Sequence, residues 1–298
     1  MAPFGPYNNI SSTEKVDPFP LTPSLASFTT ARHVTPSSST IWRYPHTHTN
    51  QPKISSKMPP QPTKFPKPIP LEVTVYGPHN AIKAASFGAK RLLLCRKDSS
   101  SEGGLTPKVE ELKYLKNKVH IPVSCVIRPR GAPNPDLPGE SHDYIYSQNE
   151  LAQMSQDIHE LKETGVMNPI RGDSFVFGCV KRRLEGSNSV THDRIVVDRN
   201  YCHFLIQEAK PFGCIFNRAF DEFAEREDWD NVIPKLVTLG FSGFMTAGGP
   251  GDFDDHIDRL GAMCHHIRHI QLIVAGGVFC PGIKKLRQRA HDYNAHSI

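Results

Sequence analysis

The sequence predicts an α/β protein, a TIM-like (β/α)8 barrel that lacks its final helix and follows a disordered N-terminal extension. Three observations lead there. From Leu71 onward, short apolar runs alternate with helix-period segments, the pattern of parallel βαβ units. About eight such runs fit into roughly the last two hundred and thirty residues, which favours a closed barrel over a doubly wound sheet. Polar and glycine-rich residues gather after the strands, while the loops before them are short and plain, and in barrels the chemistry sits at the carboxyl ends of the strands.

Residues 1–70 read as the extension and 71–298 as the barrel domain. About half of the 26 prolines fall in the first seventy residues, among polar runs such as "TPSSST" and "HTHTN". Such a composition cannot bury enough apolar surface to offset its ordering entropy. Charge divides at the same place. The extension holds seven Lys or Arg against two Asp or Glu, which leaves 28 of each sign to residues 71–298. The basic balance therefore belongs to the extension and gives the domain no nucleic-acid face. No apolar run approaches a membrane span, and the opening residues lack the apolar stretch of a secretory signal. Glu14 and Asp17 interrupt an Arg-poor segment, which argues against a transit peptide. Seven scattered cysteines, odd in number and without CxxC spacing, read as reduced thiols in a cytoplasmic protein.

Taken in order, "LEVTVY" opens the barrel as strand one, and a helix through "HNAIKAASFG" leads to "RLLLC". "KVEELKYLKNK" leads to "IPVSCVI", and a helix from Asn149 to Thr164 leads to "SFVFGCV". "DRNYCHFLIQEA" leads to "FGCIFN", "WDNVIPKLVTLG" to "GFMT", "FDDHIDRLGAMCHHI" to "IQLIVAGG", and "GIKKLRQRA" to "YNAHS" as strand eight. Gly88, Gly165 and Gly240 stand where helices end. With strand eight placed at "YNAHS", the last barrel helix is missing. An apolar flank on strands one and eight then calls for cover, for which a second copy of the chain is one candidate.

The stretch "CVIRPRG" ends a buried-looking strand in two guanidinium groups, Arg128 and Arg130. A buried charge needs a partner or an anion. At a barrel mouth the two arginines either clamp a carboxylate or phosphate or salt-bridge to acidic rim loops. "FNRAFD" places Arg218 and Asp221 after strand five, paired with each other or facing the same anion. Gly276 and Gly277 after "IQLIV" allow backbone N–H groups to approach an anion, or form a plain turn. Glu72 and Thr74 share one face of strand one, and Leu93 and Cys95 one face of strand two, so a glutamate, a threonine and a thiol are expected together in the lumen. Arg128 is the expected partner of Glu72. In "CHHIRH", His265 and His269 have chelating spacing, but the last turn of an outer helix favours solvated histidines. Cys125, Cys179, Cys202 and Cys214 are expected to pack as small hydrophobes.

The motifs "EGGLTP", "IPVSCVIRPRG", "YIYS", "FNRAFD", "AGGV" and "HS", at these separations, resemble the CutC copper homeostasis family over essentially Leu71 to Ile298. The resemblance implies a TIM-like barrel, a cytoplasmic setting and Cu(I) binding, with Cys95 and His296 as the surviving metal ligands. It carries no assignable reaction. Thr74 stands where the family has a cysteine, Leu93 where it has a glutamate, Asn217 where it has a histidine, and Asn294 where it has a glutamate. Cu(I) prefers thiolates, so one cysteine in place of two weakens the metal reading. The arginine side is intact. The rival reading is an enzyme of lyase or isomerase type acting on a small phosphate- or carboxylate-bearing substrate. In it Arg128 and Arg218 would hold the substrate and Glu72 would act as base, with Asn217 and Asp221 as further catalytic candidates and Arg130, Gly276 and Gly277 as binding candidates. A diverged, inactive scaffold is the third reading.

Overall fold

The computed structural model describes residues 70–134, 142–185, 192–226, 229–251, 253–267, 269–278 and 280–295. The expected disordered extension therefore lies, apart from Pro70, outside the described residues, as does His296.

The chain begins β1 (Glu72–Tyr76), α1 (Pro78–Ser86), β2 (Arg91–Cys95), α2 (Val109–Tyr114), β3 (Val123–Val126), α3 (Gln148–Glu163) and β4 (Ser174–Phe177). A hairpin of β5 (Val180–Glu185) and β6 (His192–Val197) follows. Then come α4 (Arg199–Ala209), β7 (Gly213–Phe216), the single turn α5 (Asp221–Ala224), α6 (Val232–Leu239), β8 (Gly243–Thr246), α7 (Ile257–His266), β9 (Gln271–Val274) and α8 (Cys280–Ala295). Helix punctuation follows local chemistry. Pro78 opens α1, Asp198 caps α4 through its carboxylate, and Gly240 closes α6 at φ +108°.

Seven strands form one parallel sheet in the order β1-β2-β3-β4-β7-β8-β9. It is the barrel type of sheet, with β1 and β9 as its edges among the described residues. Two apolar layers hold it. The larger packs the outer strand faces against the helices and contains Cys125, Cys179, Cys202 and Cys214, which are buried and unpaired as expected. The smaller is the lumen plug: Leu93, Val176, Ile215, Met245 and Ile273, one residue from each of five strands. Strand alternation then puts Cys95 on the face of Leu93, and Arg128 on the face of Val126, which packs against the plug.

Two elements differ from the sequence reading. Residues Tyr293–Ala295 of the expected strand eight belong to the long helix α8, and the rest of "YNAHS" lies outside the described residues. A helix-period run through "GIKKLRQRA" continues over these residues without a breaker. The β5–β6 hairpin was not foreseen either, because "SFVFGCV" reads as one strand while the chain turns out at Gly178 into an antiparallel ribbon.

The lumen floor carries a charge. The Arg91 guanidinium donates to Glu72 through Nε at 2.5 Å and also through Nη2, and its Nη1 reaches Gln271 of β9 at 2.9 Å. Arg91 thus ties β1 to β9, the two edges of the sheet. Burial raises the Glu72 pKa, and the Arg91 charge and hydrogen bond oppose that rise. Glu72 Oε1 is buried and has no hydrogen-bond partner among the described residues, so removing Arg91 would strand a largely buried carboxylate. Arg91→Ala is expected to cost about 3 kcal/mol and Arg91→Lys less, measured by urea denaturation. A loss below about 1 kcal/mol for the alanine variant would mean that the pair is solvent-screened.

Candidate ligand site at the barrel mouth

At the opposite end of the lumen, strand β3 runs on through Ile127 into Arg128, which is 6 % exposed. Its backbone is clamped by Thr106: Arg128 N donates to Thr106 Oγ1 at 2.9 Å and Thr106 N donates to Arg128 O at 3.0 Å. Its guanidinium donates through Nη1 to Glu102 O at 2.6 Å and through Nη2 to Asp143 Oδ1 at 2.7 Å. Desolvation by burial pushes the Arg128 pKa down, but the Asp143 hydrogen bond and charge outweigh it and the net shift is upward. The buried Nε has no acceptor among the described residues.

Arg130 spends its fork on the rim. It donates to Glu150 Oε1 at 2.5 Å and to the carbonyls of Gly131, Asp143 and Ile145. Glu150 is also the third residue of the Ser147 capping box that starts α3, so one carboxylate fixes both the helix and the arginine. Its pKa falls: desolvation is the largest influence and opposes the fall, but the Ser147 and Arg130 hydrogen bonds together outweigh it.

Arg218 follows β7. Nε donates to Asp221 Oδ2 at 2.7 Å and Nη2 to Gly251 O at 3.2 Å, while Nη1 meets no acceptor among the described residues. The side chain is 38 % exposed. Asp221 is fixed in turn by Thr246 Oγ1 at 2.5 Å and Ala247 N at 2.9 Å, and burial raises its pKa against those bonds. Gly276, at φ +91°, makes room for this guanidinium, since a Cβ there would stand 3.0 Å from Arg218 Cζ and Nη1. Asn217 serves as a cap, its Oδ1 accepting from Ala219 N at 3.0 Å. Gly277, at φ +63°, completes the turn after β9.

These groups open on a cavity of about 870 Å³ whose wall includes Glu102, Arg128, Arg130, Asp143, Tyr144 and Arg218. Tyr144 feels both Arg128 and Arg218; burial pushes its phenol up to about 12. Cys95 lies beneath the loop that carries Glu102. It is 1 % exposed and pairs in register with Tyr76, while Thr74 pairs with Leu93 one step lower and is exposed. Burial pushes the Cys95 thiol up to about 12, against a lowering pull from Arg128.

The structure thus brings Arg128, Arg130, Arg218, Asp221, Asn217 and Gly276 to one end and separates Glu72 from them. Glu72 is the first residue of β1, at the floor, and its partner is Arg91 instead of Arg128. The sequence reading missed Asp143, Glu150, Tyr144 and Glu102. Only the S-x-x-E spacing of Ser147 and Glu150 offered a signal. In "CHHIRH", Cys264, His266 and His269 are exposed, and no cluster of three or more His, Cys, Asp or Glu able to hold a metal exists among the described residues.

A parallel βα barrel sheet with a cavity of paired arginines at its carboxyl end defines the class of protein. The chain belongs to the CutC family, whose profile matches residues 69–298. It is 28 % identical over 233 residues to the copper homeostasis protein cutC homolog of Drosophila melanogaster, covering 77 % of this chain and 78 % of that protein. To the Caenorhabditis elegans homolog it is 30 % identical over 237 residues, covering 78 % and 82 %. To the Homo sapiens homolog it is 33 % identical over 178 residues, covering 60 % of this chain and 54 % of the human protein. The crystal structure of a CutC protein from Streptococcus agalactiae superposes with a TM-score of 0.56 at 22 % identity, over 74 % of this chain and 94 % of that one.

The glycines of "EGGLTP" lie against the Arg128 and Cys95 side chains. A Cβ on Gly103 would stand 2.5 Å from Arg128 Nη1, and one on Gly104 2.7 Å from Cys95 Sγ, with both glycines at positive φ. Gly104→Ala is expected to cost about 2–3 kcal/mol from overpacking and backbone strain. In a double-mutant cycle with Cys95→Ala part of that cost should vanish, because the sulfur no longer blocks the new methyl. Simple additivity in urea melts would show that Cys95 and Gly104 do not touch.

Proposed function

We propose that this chain serves copper homeostasis inside the cell and that its working site is the barrel mouth, where it holds a small carboxylate- or phosphate-bearing ligand. The names of its relatives support the first part. Six free cysteines and no disulfide among the described residues support a reducing compartment. One observation carries the second part: Arg218 lines the cavity with its side chain 38 % exposed, and its Nη1 has no acceptor among the described residues while Asp221 and Gly251 hold the rest of its guanidinium. Such a donor is pre-positioned and charged, and it loses little side-chain freedom when an anion arrives. Tyr144 adds a phenolic donor in the same wall. Arg128 acts by positioning, because its buried guanidinium is anchored by one N–H of each terminal nitrogen, to Glu102 O and Asp143 Oδ1.

The second reading is Cu(I) carriage with Cys95 as ligand and His296 as a candidate partner. Cys95 favours it by lying on the lumen face at the mouth end. The described residues do not fit a Cu(I) cage: they offer one lumen thiol, held protonated by burial, with exposed Thr74 in the neighbouring strand. Thiolate coordination releases a proton, so affinity at Cys95 would rise about tenfold per pH unit through neutrality.

Thermal melts separate the two readings. Acetate or phosphate is expected to stabilise the wild type, and Arg218→Ala to abolish that gain while melting within a few degrees of the wild type without ligand. No stabilisation of the wild type by acetate, by phosphate or by glycine, which also bears a carboxylate, overturns the mouth reading. Stoichiometric Cu(I) binding that Cys95→Ser abolishes, with the pH slope above, would put copper in first place.

A further inference from the structure

We propose that the ligand of the mouth is a zwitterion, a small molecule carrying both a carboxylate and a cationic amine. The inference rests on the mouth reading above and narrows it. Charge balance carries it. Every arginine at the mouth already has a carboxylate of its own: Arg128 with Asp143 at 2.7 Å, Arg130 with Glu150 at 2.5 Å and Arg218 with Asp221 at 2.7 Å. Glu102 is left over on the cavity wall, so these groups together are one charge negative rather than positive. A dianion such as phosphate would enter a site with no surplus positive potential to meet its second charge.

What the wall still offers is mixed. On the donor side stands Arg218 Nη1. On the acceptor side stand Asp143 Oδ2, whose sister oxygen alone is used by Arg128, and the Glu102 carboxylate, which is exposed and makes no bond to the described residues. Asp143 is 24 % exposed, open enough to be reached and buried enough for its charge to be felt. Tyr144 stands in the same wall and already lies beneath the Arg128 guanidinium, 5.7 Å from ring centroid to Cζ, which marks it as a surface that accepts cations. A carboxylate on Arg218 and an amine towards Asp143 and Glu102 would use a donor and both acceptors at once. A bare carboxylate would leave the acceptors unused, and a bare amine would leave the arginine unused.

Titration calorimetry on the full chain tests this with matched series: glycine, β-alanine and γ-aminobutyrate against acetate, propionate and butyrate, with inorganic phosphate alongside. At least one amino acid is expected to bind about tenfold more tightly than the carboxylate of the same length, the gain of one charge-assisted hydrogen bond. The member of the series that gains most reads out the span from Arg218 to the acceptors. Glu102→Gln is expected to reduce the amino acid to carboxylate affinity ratio about threefold or more. Asp143→Asn, a riskier variant because it also unpairs Arg128, is expected to lower the ratio further where it folds. Equal affinities in the wild type, or phosphate binding more tightly than every amino acid, overturns the zwitterion while leaving the mouth reading intact. If neither carboxylates, amino acids nor phosphate bind, both proposals fall together.

Discussion

The mouth is organised around the cost of burying one guanidinium. Arg128 extends the lumen face of β3 and is 6 % exposed, so its charge must be met within the protein. Three residues on two loops meet it. Thr106 clamps its backbone, Glu102 supplies a carbonyl, and Asp143 supplies the countercharge. None of these lies on a strand, so two loops with no pattern of their own are fixed by one buried cation. Removing Asp143 would leave that charge unpaired, a loss of about 3–5 kcal/mol in comparable buried pairs. The same requirement commits Arg128 to the protein, whereas Arg218 keeps Nη1 without an acceptor among the described residues.

The two ends of the lumen solve a similar problem differently. At the floor, Arg91 and Glu72 neutralise each other and Arg91 adds a hydrogen bond to Gln271, a closed arrangement that links the edges of the sheet. Above it the apolar plug of Leu93, Val176, Ile215, Met245 and Ile273 separates that pair from the cavity. The plug also explains why Leu93 suits its position: a carboxylate there would face four apolar side chains.

The fold was legible because continuous apolar runs mark strands buried on both faces, while period-3.6 patterning marks the helices that cover them. The position of Arg128 at the carboxyl end followed from that pattern alone. Its partner did not, because strand alternation fixes a side chain's face but not its height in the barrel. Glu72 and Arg128 share the lumen yet stand at opposite ends. Asp143 and Tyr144 were invisible as wall residues because they follow a segment without periodicity, and only the tertiary path of that segment brings them over β3. Strand eight failed at "YNAHS" because few β-branched or aromatic residues oppose the helical run before it. The β5–β6 hairpin failed because "VKRRLE" is too charged to read as a strand, being a ribbon whose side chains face largely outward.

Thiol and arginine are also mechanically joined. The Gly103–Gly104 step passes within contact distance of Arg128 Nη1 on one side and Cys95 Sγ on the other, and the carbonyl just before it accepts from Arg128. Access to Cys95 therefore requires displacing a loop that the buried guanidinium holds down. Any group that draws Arg128 Nη1 away from Glu102 O weakens the cover on the thiol, and any group that enlarges Cys95 presses on the loop that fixes Arg128. The two readings of this site, small-molecule mouth and thiol metal ligand, are thus not independent. They share one hydrogen bond and two glycine Cα atoms, so a change made to test either one has to be read at both.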